Sequence, residues 1–135
     1  MKIGLDYHGV LDKYPKFFKV FIESMRAKDN LIYIITGAPM SDFTQDPSVR
    51  GITYDYFYSI TDDLISTAIP YEIDEKGHNK FDDALWNTAK ALYCSKNEID
   101  MMIDDSEIYG KFFVTPYIQF KEIKHELIHE NHTSP

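Results

Sequence analysis

Three short apolar runs end in residues capable of polar chemistry. Residues 2–6 (KIGLD) finish on Asp6, residues 31–35 (LIYII) run into Thr36, and residues 99–105 (IDMMIDD) close on Asp104 and Asp105. Apolar runs of this length read as buried parallel strands, which deliver side chains to the carboxyl edge of their sheet. With all three ends on one edge, three carboxylates converge beside a hydroxyl, and their mutual repulsion needs a cation to relieve it. A hard divalent ion such as Mg²⁺ suits such oxygens, completing its octahedral shell with a backbone carbonyl, waters and substrate phosphate. Lys80 is a fourth element. It is expected in the first turn of a helix capped by Asn79, where the helix dipole disfavours a cation and a bound phosphate would compensate. Taken singly, Lys80 reads as a solvated surface lysine and Asp104-Asp105 as a turn with a helix cap.

The elements that must position these residues follow from the pattern between them. Pro15 suits the first position of a helix in which Phe17, Phe18, Phe21, Ile22 and Met25 recur at helical spacing until Asp29-Asn30. Residues 40–51 predict a short helix that frays before Pro47, residues 54–60 a strand, and Thr61-Asp62-Asp63 the opening of a helix through Ser66. Residues 68–79, interrupted by Pro70 and Gly77, predict an irregular excursion or small hairpin. In the helix after Asn79, Asp82 stands in capping-box position and Phe81, Ala84, Leu85, Thr88 and Leu92 form one face. Residues 112–114 and 117–120, flanking Pro116, supply one last strand, 121–129 a closing amphipathic helix, and 130–135 a disordered tail. Strands alternating with helices predict one α/β domain over residues 1–135, a three-layer, Rossmann-like open parallel sheet whose ligands sit where the strand order reverses.

Composition agrees with a single core: 135 residues are 44% apolar and 27% charged. Lys and Arg number 14 against 22 Asp and Glu, a net charge of −8, which disfavours a sequence-independent grip on nucleic-acid phosphates. Asp6 interrupts any leader-like apolar run, and no stretch approaches the roughly 20 apolar residues of a membrane span. The expectation is a soluble cytoplasmic protein with no membrane partner. Cys94, the one cysteine, excludes an internal disulfide and reads as a buried small side chain. Ten tyrosines and nine phenylalanines read as packing rather than base stacking. Trp86 falls near the core face of its helix, and His78 is a loop residue close enough to Lys80 to touch substrate.

Asp6-Tyr7-His8-Gly9-Val10-Leu11 after a strand, Thr36 at the end of a second strand, Lys80, and Asp104-Asp105 after a third, twenty-four residues beyond Lys80, together resemble the haloacid dehalogenase superfamily of phosphohydrolases. The resemblance spans residues 2–105. It implies that Asp6 is a nucleophile forming an aspartyl-phosphate that water then hydrolyses. It further implies Mg²⁺ held by Asp6, the His8 carbonyl and Asp104, with Asp105 as second acidic partner, and a phosphorylated substrate bound by Thr36, Gly37 and Lys80.

The resemblance departs at His8, where the family's phosphatases carry a second aspartate that protonates the leaving oxygen and activates water. Histidine can do this work. The competing reading is a catalytically weakened relative that binds a phosphorylated or protein partner through the same cleft. Phosphonate or carbon–halogen cleavage is the poorer fit, since dehalogenation does not use the Mg²⁺–phosphate arrangement. A cap domain, usual in relatives acting on small metabolites, finds no room: residues 12–30 hold one helix, and 38–79 are largely consumed by a strand and its connections. An uncapped site suits a phosphate on a macromolecule or a small substrate enclosed by an oligomer partner, and a nucleotide monophosphate stays within that range.

A separate motif, His125-Glu126-Leu127-Ile128-His129, spells the H-E-x-x-H of zinc hydrolases. Six residues remain after His129, leaving little room for a third ligand beyond His132, and Ile123 and Leu127 mark the opposite side. The histidines read as a solvated helical face, with a zinc site at His125 and His129 as the remote alternative.

Overall fold

The computed structural model describes residues 1–121. Along the chain run β1 (Lys2–Leu5), α1 (Pro15–Arg26), β2 (Leu31–Thr36), α2 (Met40–Gln45), β3 (Tyr56–Ser59), α3 (Ile60–Ser66), β4 (Glu72–Ile73), β5 (Asn79–Lys80), α4 (Asp83–Lys96), β6 (Met101–Asp104), α5 (Glu107–Gly110) and β7 (Tyr117–Gln119). Five strands form one sheet in the order β3-β2-β1-β6-β7, every pairing parallel, while β4 and β5 make a separate antiparallel hairpin. The chain builds outward from β1 to β3, then crosses back to lay β6 against the other side of β1. The strand order therefore reverses between β1 and β6, the crevice where open α/β sheets bind ligands. This is the α/β, Rossmann-like parallel arrangement that the alternation of elements predicts.

Both faces of the sheet are covered, which is why the central strands are apolar at every position rather than alternately. Ile3, Leu5, Ile32, Ile34 and Ile103 point to one face and pack with Phe18 and Ile22 of α1. Tyr33, Ile35 and Met102 point to the other and pack with Cys94 of α4 and Ile99. Pro15 opens α1 at its first position, where its missing N–H costs nothing.

The structure corrects the expectation for residues 79–92. Asn79 and Lys80 are strand residues, paired with Ile73 and Glu72 across the hairpin, and α4 begins only at Asp83. Asp82 is its cap, its carboxylate accepting from the Leu85 amide at 3.3 Å. The buried face of α4 carries Ala89, Lys90, Ala91 and Cys94, whereas Leu85 and Leu92 are exposed. Small residues let α4 lie close on the sheet, so the leucines, chosen by hydrophobicity, turn to the outside. Among the described residues no helix is long and apolar enough to cross a membrane. The expected closing helix with His125 and His129, and the tail at 130–135, lie outside the described residues.

Burial pushes the Cys94 thiol up to about 12 and seals it among Tyr33, Ile35, Ile99 and Met102. The native protein should therefore leave a disulfide reagent at pH 8 unreacted, while the urea-unfolded chain titrates one thiol. Rapid labelling of the native state would contradict this packing.

Candidate active site at the β1–β6 switch point

Asp6 follows β1 and Asp104 ends β6, and the Asp6 amide continues the ladder by donating to the Ile103 carbonyl at 2.9 Å. The two carboxylates thus emerge side by side. Between them reaches Lys90, one turn along α4 from Trp86 and one turn short of Cys94. Its ammonium donates to Asp6 Oδ1 at 3.0 Å and to Asp104 Oδ2 at 2.7 Å, with all three residues buried. The Tyr109 ring lies 5.0 Å from the same Nζ, a distance at which its π face adds to the attraction. Burial alone would lower the Lys90 pKa, but the two carboxylates outweigh it and hold the ammonium charged.

A carboxylate oxygen from each of Asp6, Asp104 and Asp105 lies within 4.8 Å of the others. Three carboxylates against one ammonium leave the cluster two negative charges in excess. Burial, with the charges of Asp104 and Asp105 adding to it, raises the Asp6 pKa despite Lys90. Burial and Asp104 raise that of Asp105. The donor set fits a hard divalent cation: all oxygen, a formal excess of two negative charges, and one oxygen of each carboxylate within 4.8 Å of the others. Asp6, Asp104 and Asp105 would hold it, with the His8 carbonyl in the turn after β1.

The turn after β1 is fixed by its own backbone contacts. The Tyr7 amide donates to Asp6 Oδ1 at 2.8 Å, and the Tyr7 hydroxyl donates to Asp46. Gly9 has φ of +85°, and a Cβ there would lie 2.1 Å from Asp105 Oδ2, so both conformation and space demand glycine. The turn brings Asp12 back beneath His8. Asp12 Oδ1 accepts from the Gly9 amide at 2.8 Å, and Oδ2 meets His8 Nδ1 at 2.9 Å. The imidazole also stacks on the Tyr7 ring, centroids 4.0 Å apart. With Nδ1 engaged, Nε2 is the nitrogen left for chemistry. Nothing in the spacing of Asp12 announced this pairing, because it depends on the left-handed Gly9.

At the end of β2, Thr36 Oγ1 accepts from the Ala38 amide at 3.1 Å, which leaves its O–H proton to donate elsewhere. The Gly37 carbonyl is pinned by the Thr61 hydroxyl at 2.6 Å. Trp86 packs over Gly37, where a Cβ would come within 2.5 Å of the indole. Asp6, His8, Gly9, Thr36, Gly37, Lys90 and Asp105 all line one cavity of about 860 Å³.

Lys80 does not join them: it is exposed on β5 and absent from the cavity wall. The helix start on which its role rested lies three residues further on, and the ammonium at the carboxylates is that of Lys90. The signal is present in the sequence, since Trp86, Lys90 and Cys94 recur every four residues, but hydrophobicity alone does not select a lysine within an apolar stripe. Three comparisons, with family models, with curated proteins and with solved structures, find no match to this chain.

Removing one partner from a buried ionic cluster leaves the others uncompensated. Lys90→Met should lower unfolding free energy by about 3–5 kcal/mol in urea titrations at neutral pH, whereas Lys80→Met should change it by no more than about 0.5 kcal/mol. Equal effects of the two would contradict this arrangement.

Proposed function

We propose that this chain is a Mg²⁺-dependent phosphohydrolase cleaving a phosphate monoester through Asp6, in the manner of the haloacid dehalogenase superfamily it resembles. The observation that supports this reading most is the buried Lys90 ammonium joining Asp6 to Asp104, with Asp105 beside them, at the point where the strand order reverses. Lys90 takes the part that the sequence assigns to Lys80.

Asp6 Oδ1 is occupied by the Tyr7 amide and Lys90, so Oδ2 attacks phosphorus. The ester oxygen departs with its electron pair and takes a proton from His8 Nε2, giving an aspartyl-phosphate and the free alcohol. Water then attacks phosphorus, yields its proton to the same nitrogen, and releases Asp6 and inorganic phosphate. Throughout, Asp12 holds the imidazole by Nδ1, the Thr36 hydroxyl and the Gly37 amide donate to phosphoryl oxygens, and Lys90 offsets charge on Asp6. A divalent cation supplies the remaining neutralisation of the phosphoryl charge.

With Mg²⁺ and 4-nitrophenyl phosphate, turnover should be measurable and lost by at least a thousandfold in Asp6→Asn. No turnover by the wild type would refute the proposal. His8→Ala should slow alkyl phosphates at least tenfold more than the activated aryl ester, because only the poor leaving group needs a proton; equal losses would remove His8 from that role. Millimolar Mg²⁺ should raise the melting temperature by mass action, and Asp104→Asn should abolish most of the rise.

A further inference from the structure

The metal and phosphoryl group need only part of the 860 Å³ cavity, which is in the size range of whole small-molecule sites. The same cavity is also lined by Asp74, His78 and Asn79 of the β4–β5 hairpin, by Trp86 and Tyr109, and by Asp42 of α2. The hairpin is anchored rather than loose: Tyr71 packs on Phe81 at 5.4 Å, and Phe81 stacks on Trp86 at 6.1 Å. The indole N–H is spent on the Tyr109 hydroxyl at 2.7 Å, so Trp86 offers ring surface and no donor.

The charge of this lining is one-sided. Among the described residues that line the cavity, Lys90 is the one lysine or arginine, and it is already committed to Asp6 and Asp104. Asp74 accepts from the Lys76 and His78 amides at 2.9 and 2.8 Å, and these bonds, that of His78 first, keep it ionised. A leaving group bearing its own negative charge would face Asp42 and Asp74 with no lysine or arginine of the lining free to meet it, the His78 imidazole being already beside Asp74 at 3.9 Å, and like charges brought together at a binding surface are costly. A neutral or cationic group meets no such penalty, and carboxylates beside aromatic rings favour a cation.

From this we infer that the site selects phosphate monoesters of small alcohols that are uncharged or cationic, and rejects esters whose alcohol carries a second anionic group. The inference rests on the phosphohydrolase reading and deepens it by naming the substrate class. The β4–β5 hairpin is then the specificity wall, doing at small scale what a cap would do.

Three esters of similar size, compared at one common pH, test it: phosphoethanolamine, glycerol 3-phosphate and 3-phosphoglycerate. The expected kcat/KM for the first two exceeds that for 3-phosphoglycerate by at least tenfold. In Asp42→Lys, the ratio of 3-phosphoglycerate to glycerol 3-phosphate should rise at least fivefold. Values within twofold for all three esters, or a ratio unmoved by Asp42→Lys, would overturn the inference while leaving the phosphohydrolase reading intact, provided 4-nitrophenyl phosphate is still hydrolysed. Failure to hydrolyse any ester, the aryl one included, would overturn both.

Discussion

A single buried ammonium organises the carboxyl edge of the central strands. Lys90 lies between two carboxylates that β1 and β6 deliver side by side, bonded to them at 3.0 and 2.7 Å in a site where an unpaired charge would be costly. The lysine cannot leave water unless paired, and the acids cannot approach unless bridged. Each group's presence in the core depends on the others, and the cluster still retains the charge deficit that a divalent cation would fill.

The parallel order β3-β2-β1-β6-β7 puts the carboxyl ends of the central strands on one edge, and two faces of apolar packing fix α1 and α4 against them. Trp86 settles over Gly37 at one end of α4 and Cys94 is locked into the core at the other, so Lys90 is held from both sides. On the opposite lip, Gly9 lets the turn after β1 pass close enough to Asp105 to bring the loops following β1 and β6 together. The hydrogen-bonded pair of His8 and Asp12 is a product of that same turn. It provides an oriented imidazole where the resembled family has a carboxylate.

Much of this was legible in the chain itself. Apolar runs ending in Asp6, Thr36 and Asp104-Asp105 could be read as parallel strands because burial on both faces leaves no alternation, and the polar residues at their ends then fell on one edge. Pro70 and Gly77 marked the hairpin. Lys90 was missed for a definable reason: side-chain hydrophobicity pointed to Leu85 and Leu92 as the inner face of α4, while the structure turns small residues inward and gives the space to a charged one. The energy of a buried lysine depends on partners 84 and 14 residues away, which no local pattern reports. The second strand of the hairpin runs through Asn79 and Lys80, where the sequence reading starts the helix, so Lys80 was assigned to the wrong element. Asp12 could not be placed without the left-handed turn before it.

The carboxylates and Lys90 form one closed cluster, and a hard cation should bind against it. Diffraction from crystals grown with Mn²⁺, a stand-in visible by anomalous scattering, addresses this most directly. The expected result is a peak within about 2.3 Å of Asp6, Asp104 or Asp105 oxygens, with Lys90 still bonded to Asp6 and Asp104. An anomalous map without a peak at these carboxylates, or Lys90 turned outward with Asp6 and Asp104 apart, would contradict it.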